Sequence, residues 1–350
     1  MSVEIGLLYS RIRRDEKLLL SELRDRGHDV QKIDVRDTMF GVGAAGGEGF
    51  NADDTENETS DAGDDTEEAT DAMSALAGCD VVLDRCLATS RSVYTTRFAE
   101  AYDVPVVNDP ATARVCADKV ETSLALTAAG VPTPETRVAF DTESALAAVE
   151  SFGYPCVLKP VVGSWGRLMA KLEGRAAAEA VLEHKATLGH YEHKVFYVQQ
   201  FVAKPGRDLR VLVCGTEPVA AMSRSGDHWL TNAKRGAETA AFELDDHAAE
   251  LATAAAEAVG GGLLGVDLME VGAAEDADAA DSDADAADAD TETESRYTVH
   301  EVNHTVEFKA LNDAVDRDVP ATVVDWLEAT HGAETDDTSG TDDTEQVIAE

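Results

Sequence analysis

Residues Val299-His300-Glu301-Val302-Asn303, taken with Leu264-Gly265-Val266-Asp267, decide how the chain folds. Both runs have the length and apolar content of strands, and each carries hard oxygen donors on an apolar carrier. Residues two apart on a strand point the same way, so Glu301 and Asn303 share a face. With Asp267 on a neighbouring strand, three oxygens meet in a set that suits Mg²⁺, which keeps its other positions for water and phosphate. An ordinary hairpin with polar residues on its open face fits the same pattern. The rest of the chain has to separate the two.

Working outward, Asp245 caps an Ala-rich helix that Gly260-Gly261-Gly262 ends, and the hairpin 263–270 and 296–303 follows it. A last helix is expected near 320–330. Upstream, extended runs at 195–202, 208–214 and 217–224 precede the Ala-rich helix. Before them come a helix over Ala117–Ala129, a strand at 136–140, a helix at 142–151, strands at 156–159 and 168–171, and a helix at 175–187. The N-terminal part alternates strand (Val3–Tyr9), helix (Arg14–Arg26, stopped at Gly27), strand (Val30–Val35), strand (Asp80–Leu83), helix (Ser90–Tyr102) and strand (Val104–Val107). Such alternation predicts a parallel α/β domain over 1–110, followed by α+β units over 111–195 and 196–332.

The net charge of −40 is unevenly placed. Windows 48–72, 273–295 and 334–350 hold 11, 10 and 7 acidic residues and no Lys or Arg, leaving 41 acidic against 29 basic residues elsewhere. These windows are nearly free of large apolar side chains and are expected to be disordered: an insertion at 41–72, another at 273–295, and a tail at 333–350. Only 10 of the basic residues are Lys, a balance suited to a halophilic cytoplasm, where salt screens repulsion. Without a basic stripe, nucleic-acid binding is disfavoured. Five cysteines with no CxxC spacing point to reduced thiols in a cytoplasmic protein. No apolar run approaches the roughly 20 residues of a membrane span, so no membrane role is expected.

Leu158-Lys159-Pro160 ends a strand and enters Val161-Val162-Gly163-Ser164-Trp165-Gly166-Arg167, where two glycines let backbone approach phosphate and Lys159 supplies charge. The order of residues is neither Walker A nor a dinucleotide fingerprint, and plain turns share the Gly-x-x-Gly spacing. Lys119, after Asp118 at a helix start, is a second candidate phosphate ligand. Tyr197 to Val202 is a strand running into a turn, able to offer backbone groups and apolar sides to a flat heterocycle. In Gly206-Arg207-Asp208-Leu209-Arg210, Asp208 and Arg210 share a face, as they would on any charged surface strand. Asn232-Ala233-Lys234-Arg235-Gly236 concentrates donors, and Arg224 and Arg235 are suited to gripping carboxylate or phosphate.

Taken in order, Lys119, Lys159 with its Gly-rich loop, the 199–202 hinge, Arg210, Asn232 with Arg235, Asp267 and Glu301-x-Asn303 resemble the ATP-grasp ligases. Lys-Pro-Val-Val-Gly-Ser-Trp-Gly-Arg, Lys-Pro-Gly-Arg-Asp-Leu-Arg-Val and Glu-Val-Asn-His-Thr-Val-Glu-Phe-Lys are similar to one subgroup. That subgroup is the amino-group-carrier-protein ligases of lysine and arginine biosynthesis (LysX/ArgX type), relatives of the ribosomal-protein glutamate ligases. The resemblance spans about residues 3–36 and 79–330.

The resemblance implies an ATP-grasp fold behind an N-terminal α/β domain, with ATP and two Mg²⁺ ions. Lys119, Lys159 and the loop Gly163, Ser164, Trp165, Gly166, Arg167 would hold phosphates. Gln199, Gln200, Phe201 and Val202 would hold adenine, with Asp208, Arg210 and Asn232 near ribose and phosphates. Asp267, Glu301 and Asn303 would hold metal. Lys159, Arg210 and Arg235 would spread the charge developed in phosphoryl transfer. Arg224 with Glu307, Phe308, Lys309, Ala310 and Leu311 would meet the amino-acid substrate. The implied reaction activates a carboxylate as an acyl phosphate for attack by an amine, with no side-chain nucleophile.

In the subgroup the carboxylate ends a small acidic carrier protein, and the amine belongs to glutamate or α-aminoadipate. Asn followed by Ser or Thr after Glu-Phe-Lys marks the aminoadipate enzymes and Gly-Phe the glutamate enzymes. Here Ala310-Leu311 matches neither, and an apolar Leu311 that shortens the pocket would turn the enzyme toward glutamate. Arg11, Arg13 and Arg14, or Arg85 and Arg91, are candidates for docking the acidic carrier, and relatives imply a homodimer or tetramer. A ribosomal-protein-type glutamate ligase and a non-catalytic ATP-binding regulator are the competing readings.

Overall fold

The computed structural model describes residues 3–42, 70–163, 168–188, 194–231, 236–271 and 296–332. The expected tail and second acidic insertion, and most of the first, lie outside them. The apolar strand β1 (Glu4–Tyr9) leads through α1 (Arg14–Asp25) to β2 (Asp29–Asp34). Helix α1 buries Leu19, Leu20 and Leu23 on one side. It stops where Gly27, at φ +82°, donates to Arg24 O and His28 donates to Leu23 O.

A two-residue pair, β3 (Thr38–Met39) with β4 (Thr70–Asp71), precedes α2 (Ala72–Leu76), β5 (Val81–Arg85), α3 (Thr89–Ala101) and β6 (Val106–Val107). The first sheet runs β2-β1-β5-β6, all parallel. The chain leaves β1 in one direction and β5 in the other. The loops after these two strands therefore border a crevice at the carboxyl edge, where open α/β sheets bind ligands.

The helix expected over 117–129 is α5 (Lys119–Ala128), and an unexpected helix, α4 (Pro110–Ala117), precedes it. Asp118 separates them, because its carboxylate accepts from Val120 N and Glu121 N and so begins a new helix. Asp109 caps α4, with Pro110 in its first turn. Next, β7 (Thr136–Ala139), α6 (Thr142–Phe152), β8 (Cys156–Lys159), β9 (Ala170–Leu172), α7 (Arg175–Leu188) and β10 (Phe196–Gln200) build an antiparallel sheet, β7-β10-β8-β9. Its core joins Val149, Leu158, Leu172, Leu182 and Phe196.

The last unit contains β11 (Arg207–Gly215), β12 (Glu217–Ser225), β13 (Glu238–Ala241), α8 (Asp246–Val259), β14 (Gly262–Val271), β15 (Arg296–Asn303), α9 (Lys309–Ala314) and α10 (Val319–His331). Its five antiparallel strands run β13-β12-β11-β14-β15. One face of this sheet buries Leu209, Val211, Val213, Leu264, Val266 and Leu268 against α8, whose small Ala248, Ala252, Ala255 and Ala256 also enter the core. On the other face, Leu212, Cys214 and Leu263 join Leu7, Leu19, Leu23, Val323 and Leu327 in a core continuous with the N-terminal domain. The far half of that same face is polar. Among the described residues no helix is long and apolar enough to cross a membrane.

Asn108, after β6, is a bridge between units. Its Nδ2 donates to Leu263 O at 3.1 Å and to His304 O at 2.5 Å, and Leu263 N donates to its Oδ1 at 2.6 Å. A Cβ on Gly262, which sits at φ +131°, would lie 2.1 Å from that Oδ1. Gly262→Ala is expected to cost about 2 kcal/mol or more, from clash and backbone strain together. An unchanged urea midpoint would show this bridge to be dispensable.

Candidate active site

The polar half-face is built by register. Arg210 on β11 stands opposite Asp267 on β14, Asp267 opposite Glu301 on β15, and Asp208 opposite Arg224 on β12. Beside Glu301, Asn303 pairs with Gly265, and its Nδ2 lies 3.4 Å from Asp267 Oδ2. A bulge interrupts β15 at His300: Val299 pairs with Leu268, and Glu301 with the preceding Asp267. The extra residue brings His300 and Glu301 together onto the cavity wall.

Ion pairs organise the site. Arg210 holds Asp267 with both Nε (2.5 Å) and an Nη (2.8 Å), and Arg224 bridges Asp208 (2.5 Å) and Asp267 (2.9 Å). Lys119 Nζ contacts Glu301 at 2.9 Å and donates to Gly163 O at 2.8 Å. Lys204 Nζ reaches Asp208 (3.1 Å) and Thr231 (2.5 Å). Burial pushes the Asp267 carboxyl up, but Arg210 and Arg224 outweigh it and hold the group at about 2. Burial also drives His300 well below its ordinary range, with Lys159 and Lys204 adding to the effect. Neither ring nitrogen of His300 has a hydrogen-bond partner among the described residues.

Lys159, at the end of β8, is only 7% exposed. Burial lowers it to about 8, opposed by Glu301 and Asp267 and aided by Lys119. Its charged form is present below about pH 8, so affinity for a polyphosphate should weaken as pH rises from 7 to 9.5. The unfolded chain, with its lysine near 10.5, binds more protons between pH 8 and 10.5, so this group makes stability rise with pH across that window. Calorimetric titration with tripolyphosphate and urea midpoints over the same range check the two signs.

Together these groups line a cavity of about 250 Å³. Its lining includes the ion-paired set Lys119, Asp208, Arg210, Arg224, Asp267 and Glu301, together with Lys159 and Asn303. The same cavity is lined by Arg13, Leu87, Thr305, Glu307, Lys309 and Ala310, with Glu307 paired to Arg13 and near Lys309. Thr231 and the three methionines Met169, Met222 and Met269 also line the cavity. Leu87, Thr231, Thr305 and the methionines are absent from the sequence-derived set, and Arg13 stands in it only as a docking candidate, because no local pattern links Arg13 or Leu87 to residues some 220–300 positions away. Among the described residues no three His, Cys, Asp or Glu side chains cluster as a metal site. Two adjacent carboxylates and an amide nevertheless form a hard-oxygen set that fits Mg²⁺, with the other coordination positions left to water and phosphate.

The structure redistributes other expected residues. Ser164, Trp165, Gly166, Arg167, Asn232 and Arg235 lie outside the described residues. Gln199 is buried, with its Nε2 donating to Thr136 and Tyr197 at 3.0 Å each, and its backbone lies in β10 between β7 and β8. Gln200 is exposed, and Phe201 takes the Lys171 ammonium over its ring at 4.7 Å. None of residues 199–202 lines the cavity. Phe308 and Leu311 belong to the core, at 0% and 1% exposure, so the cavity wall is Ala310 instead of Leu311.

Arg85 is also unavailable for docking, being fully buried between Glu16 and Val306 O with its guanidinium over Phe308. Arg13 is bound to Glu16 and Glu307, and Arg14 to Asp313, whereas Arg11 and Arg91 are exposed.

The sequence profile of the RimK-like ATP-grasp domain matches residues 116–276, and that of the LysX pre-ATP-grasp domain matches residues 5–55 and 48–115. The chain is 35% identical over 192 residues to the alpha-aminoadipate–LysW ligase LysX of Saccharolobus solfataricus, spanning 55% of this chain and 70% of that protein. It is 28% identical over 255 residues to the glutamate–LysW ligase ArgX of Sulfolobus acidocaldarius, spanning 72% and 83%. The crystal structure of a RimK domain ATP-grasp protein from Sphaerobacter thermophilus matches with a TM-score of 0.66 and 26% identity, over 92% of this chain and 98% of that one. Ligases of this fold use ATP and Mg²⁺ as a class, and the cation-and-carboxylate set of the cavity lining has the donors for both. The chain belongs to the RimK-like ATP-grasp family, carries a pre-ATP-grasp domain of the LysX type, and is an ATP-dependent carboxylate–amine ligase.

Proposed function

We propose that this ligase joins the amino group of glutamate to the side-chain carboxyl of a C-terminal glutamate on a small acidic LysW-type carrier protein, in arginine biosynthesis. The observation that carries the reading is the shared cavity, whose lining joins the candidate phosphate and metal ligands to Arg13, Glu307, Lys309 and Ala310. The divisions 1–110, 111–195 and 196–332 serve as the N-terminal, central and C-terminal units. The acid excess suits a salt-rich cytoplasm, with Arg11 and Arg91 open to an acidic partner.

A carboxylate resists amine attack because its leaving group would be oxide. Lys119, Lys159 and Arg210 are placed to steady the transferring phosphoryl group, which leaves ADP and an acyl phosphate. Two Mg²⁺ ions, held by Asp267, Glu301 and Asn303, would supply further charge neutralisation when bound. Asp208 keeps Arg224 oriented, and Glu307 is positioned to hold the ammonium of the incoming amino acid and take its proton. The amine then attacks the acyl carbon and phosphate departs.

A second reading replaces glutamate by α-aminoadipate. The higher identity to an aminoadipate ligase favours it, and Leu311, lying in the core, does not shorten the pocket. Ala310 and Leu87 nonetheless give this cavity an apolar wall without the polar pair of the aminoadipate enzymes, which favours glutamate. One methylene is worth only about 1–3 kcal/mol. Competition of the two amines in molar KCl, with carrier, ATP and Mg²⁺, is read by intact mass of the carrier. Glutamyl addition alone is expected; aminoadipyl addition would move the enzyme to lysine synthesis, and no addition would remove the carrier reading.

A further inference from the structure

The segment 304–310 carries cavity-lining residues proposed to meet the acceptor, yet it lies in no sheet. Thr305, Glu307 and Lys309 line the cavity while Val306 and Phe308 are buried in the core, an alternation that needs a fixed backbone. The N-terminal domain supplies its hydrogen-bond partners. Asn108 Nδ2 donates to His304 O, Arg85 donates to Val306 O at 2.8 Å, and Arg13 reaches the Glu307 carboxylate at 2.6 Å. Most telling is Asp15, whose Oδ1 accepts from Phe308 N at 2.7 Å and Lys309 N at 2.8 Å.

Helix α9 begins at Lys309 and has no side-chain cap of its own, because Phe308 offers no acceptor. Asp15, almost 300 residues earlier, provides the missing oxygen. It is fully buried in the first turn of α1, a helix fastened by Leu19 and Leu23 to the shared core. The backbone of Lys309 is thereby held against the element that carries Arg13.

We propose that Asp15 is a positioning residue for the amino-acid acceptor: by capping α9 from the opposite domain, it sets the distance between Lys309 and Ala310 on one wall and Arg13 on the other. This rests on the reading above that this part of the cavity lining receives the amine. Asp15 is fully buried and does not line the cavity, so its loss should weaken amino-acid binding alone.

The test uses the full chain with Mg²⁺ and a non-hydrolysable ATP analogue, and measures the glutamate and nucleotide dissociation constants by calorimetry. In Asp15→Ala the glutamate constant should rise tenfold or more while the nucleotide constant moves less than twofold. Asp15→Asn keeps an acceptor oxygen in place and should stay within about threefold of the parent. Asp15→Glu keeps the charge but shifts the oxygens by one methylene. It should resemble Asp15→Ala, and it decides the matter if the alanine variant does not fold. Unchanged glutamate binding in Asp15→Ala or Asp15→Glu, or parallel loss of both ligands, overturns the assignment while leaving the amine reading intact. A parent protein that binds nucleotide but neither glutamate nor α-aminoadipate overturns the amine reading and this assignment with it.

Discussion

Replacing Asp267 by Asn is expected to slow ADP formation by a factor of about a thousand or more and also to destabilise the fold. The carboxylate is the shared counter-charge of two guanidiniums, Arg210 and Arg224, and all three lie within the polar half-face of the sheet. Removing one member of a buried ion network typically costs about 3–5 kcal/mol, because the remaining charges keep their desolvation cost. The chemical loss adds to this: an amide cannot draw Arg210 into its bidentate pose, and one of the two carboxylates proposed to hold Mg²⁺ is lost. The pH dependence has a definite sign. Asp267 is held at about 2 against an ordinary 3.8, so its stabilisation is present above about pH 4 and fades as the pH falls toward 2. Coupled-assay rates and urea midpoints measure both effects, and a variant keeping a tenth of the parent rate would sink the role given to this carboxylate.

Lys159→Met should separate stability from activity in the opposite sense. A depression from 10.5 to about 8 corresponds to about 3 kcal/mol against the charged form, set mainly by burial at the end of β8. Methionine fills similar volume without that cost, so the thermal midpoint should hold or rise. Phosphoryl transfer loses a positive charge among the candidate phosphate ligands of the cavity, and the rate should fall by about a hundredfold or more. The pH dependence attributed to Lys159 should vanish with it. A variant that is both less stable and nearly as active as the parent would show that the ammonium is structural.

Much of this was legible in the sequence because local patterns carried it. Glu301 and Asn303 share a face by strand alternation, Asp245 and Gly260 bound α8, and Lys119 follows the Asp118 cap. Pairings across strands were not legible: nothing near Arg210 or Arg224 announces that both will converge on Asp267, since register is a property of the whole sheet. The bulge that turns His300 toward the cavity is likewise invisible in the string Val-His-Glu-Val-Asn. Phe308 and Leu311 mislead because an apolar residue beside Glu307 and Lys309 reads equally as pocket wall or core. The partition followed from which residues α1 and α10 had to cover. The signal for α4 was present in Asp109-Pro110, a cap followed by the residue that favours a first helical turn.

One feature of the packing bears on how the ligase works as a machine. The buried side chains behind the sheet β7-β10-β8-β9 form a cluster of their own, whereas the N-terminal sheet, α10 and the non-α8 face of the five-stranded sheet share a single core. The small unit that bears Lys159 therefore has a core of its own, tied to the rest through the Asp118–Val162 bridge and Lys119. It can rock as a rigid piston against a heavier anvil without tearing open either core, because close-packed interiors resist internal deformation. The acceptor pocket, framed by Arg13, Leu87, Lys309 and Ala310, sits wholly on the anvil. Stroke and pocket are thus decoupled: displacement of the block that bears Lys159 would leave the pocket proposed for the incoming amino acid at constant width.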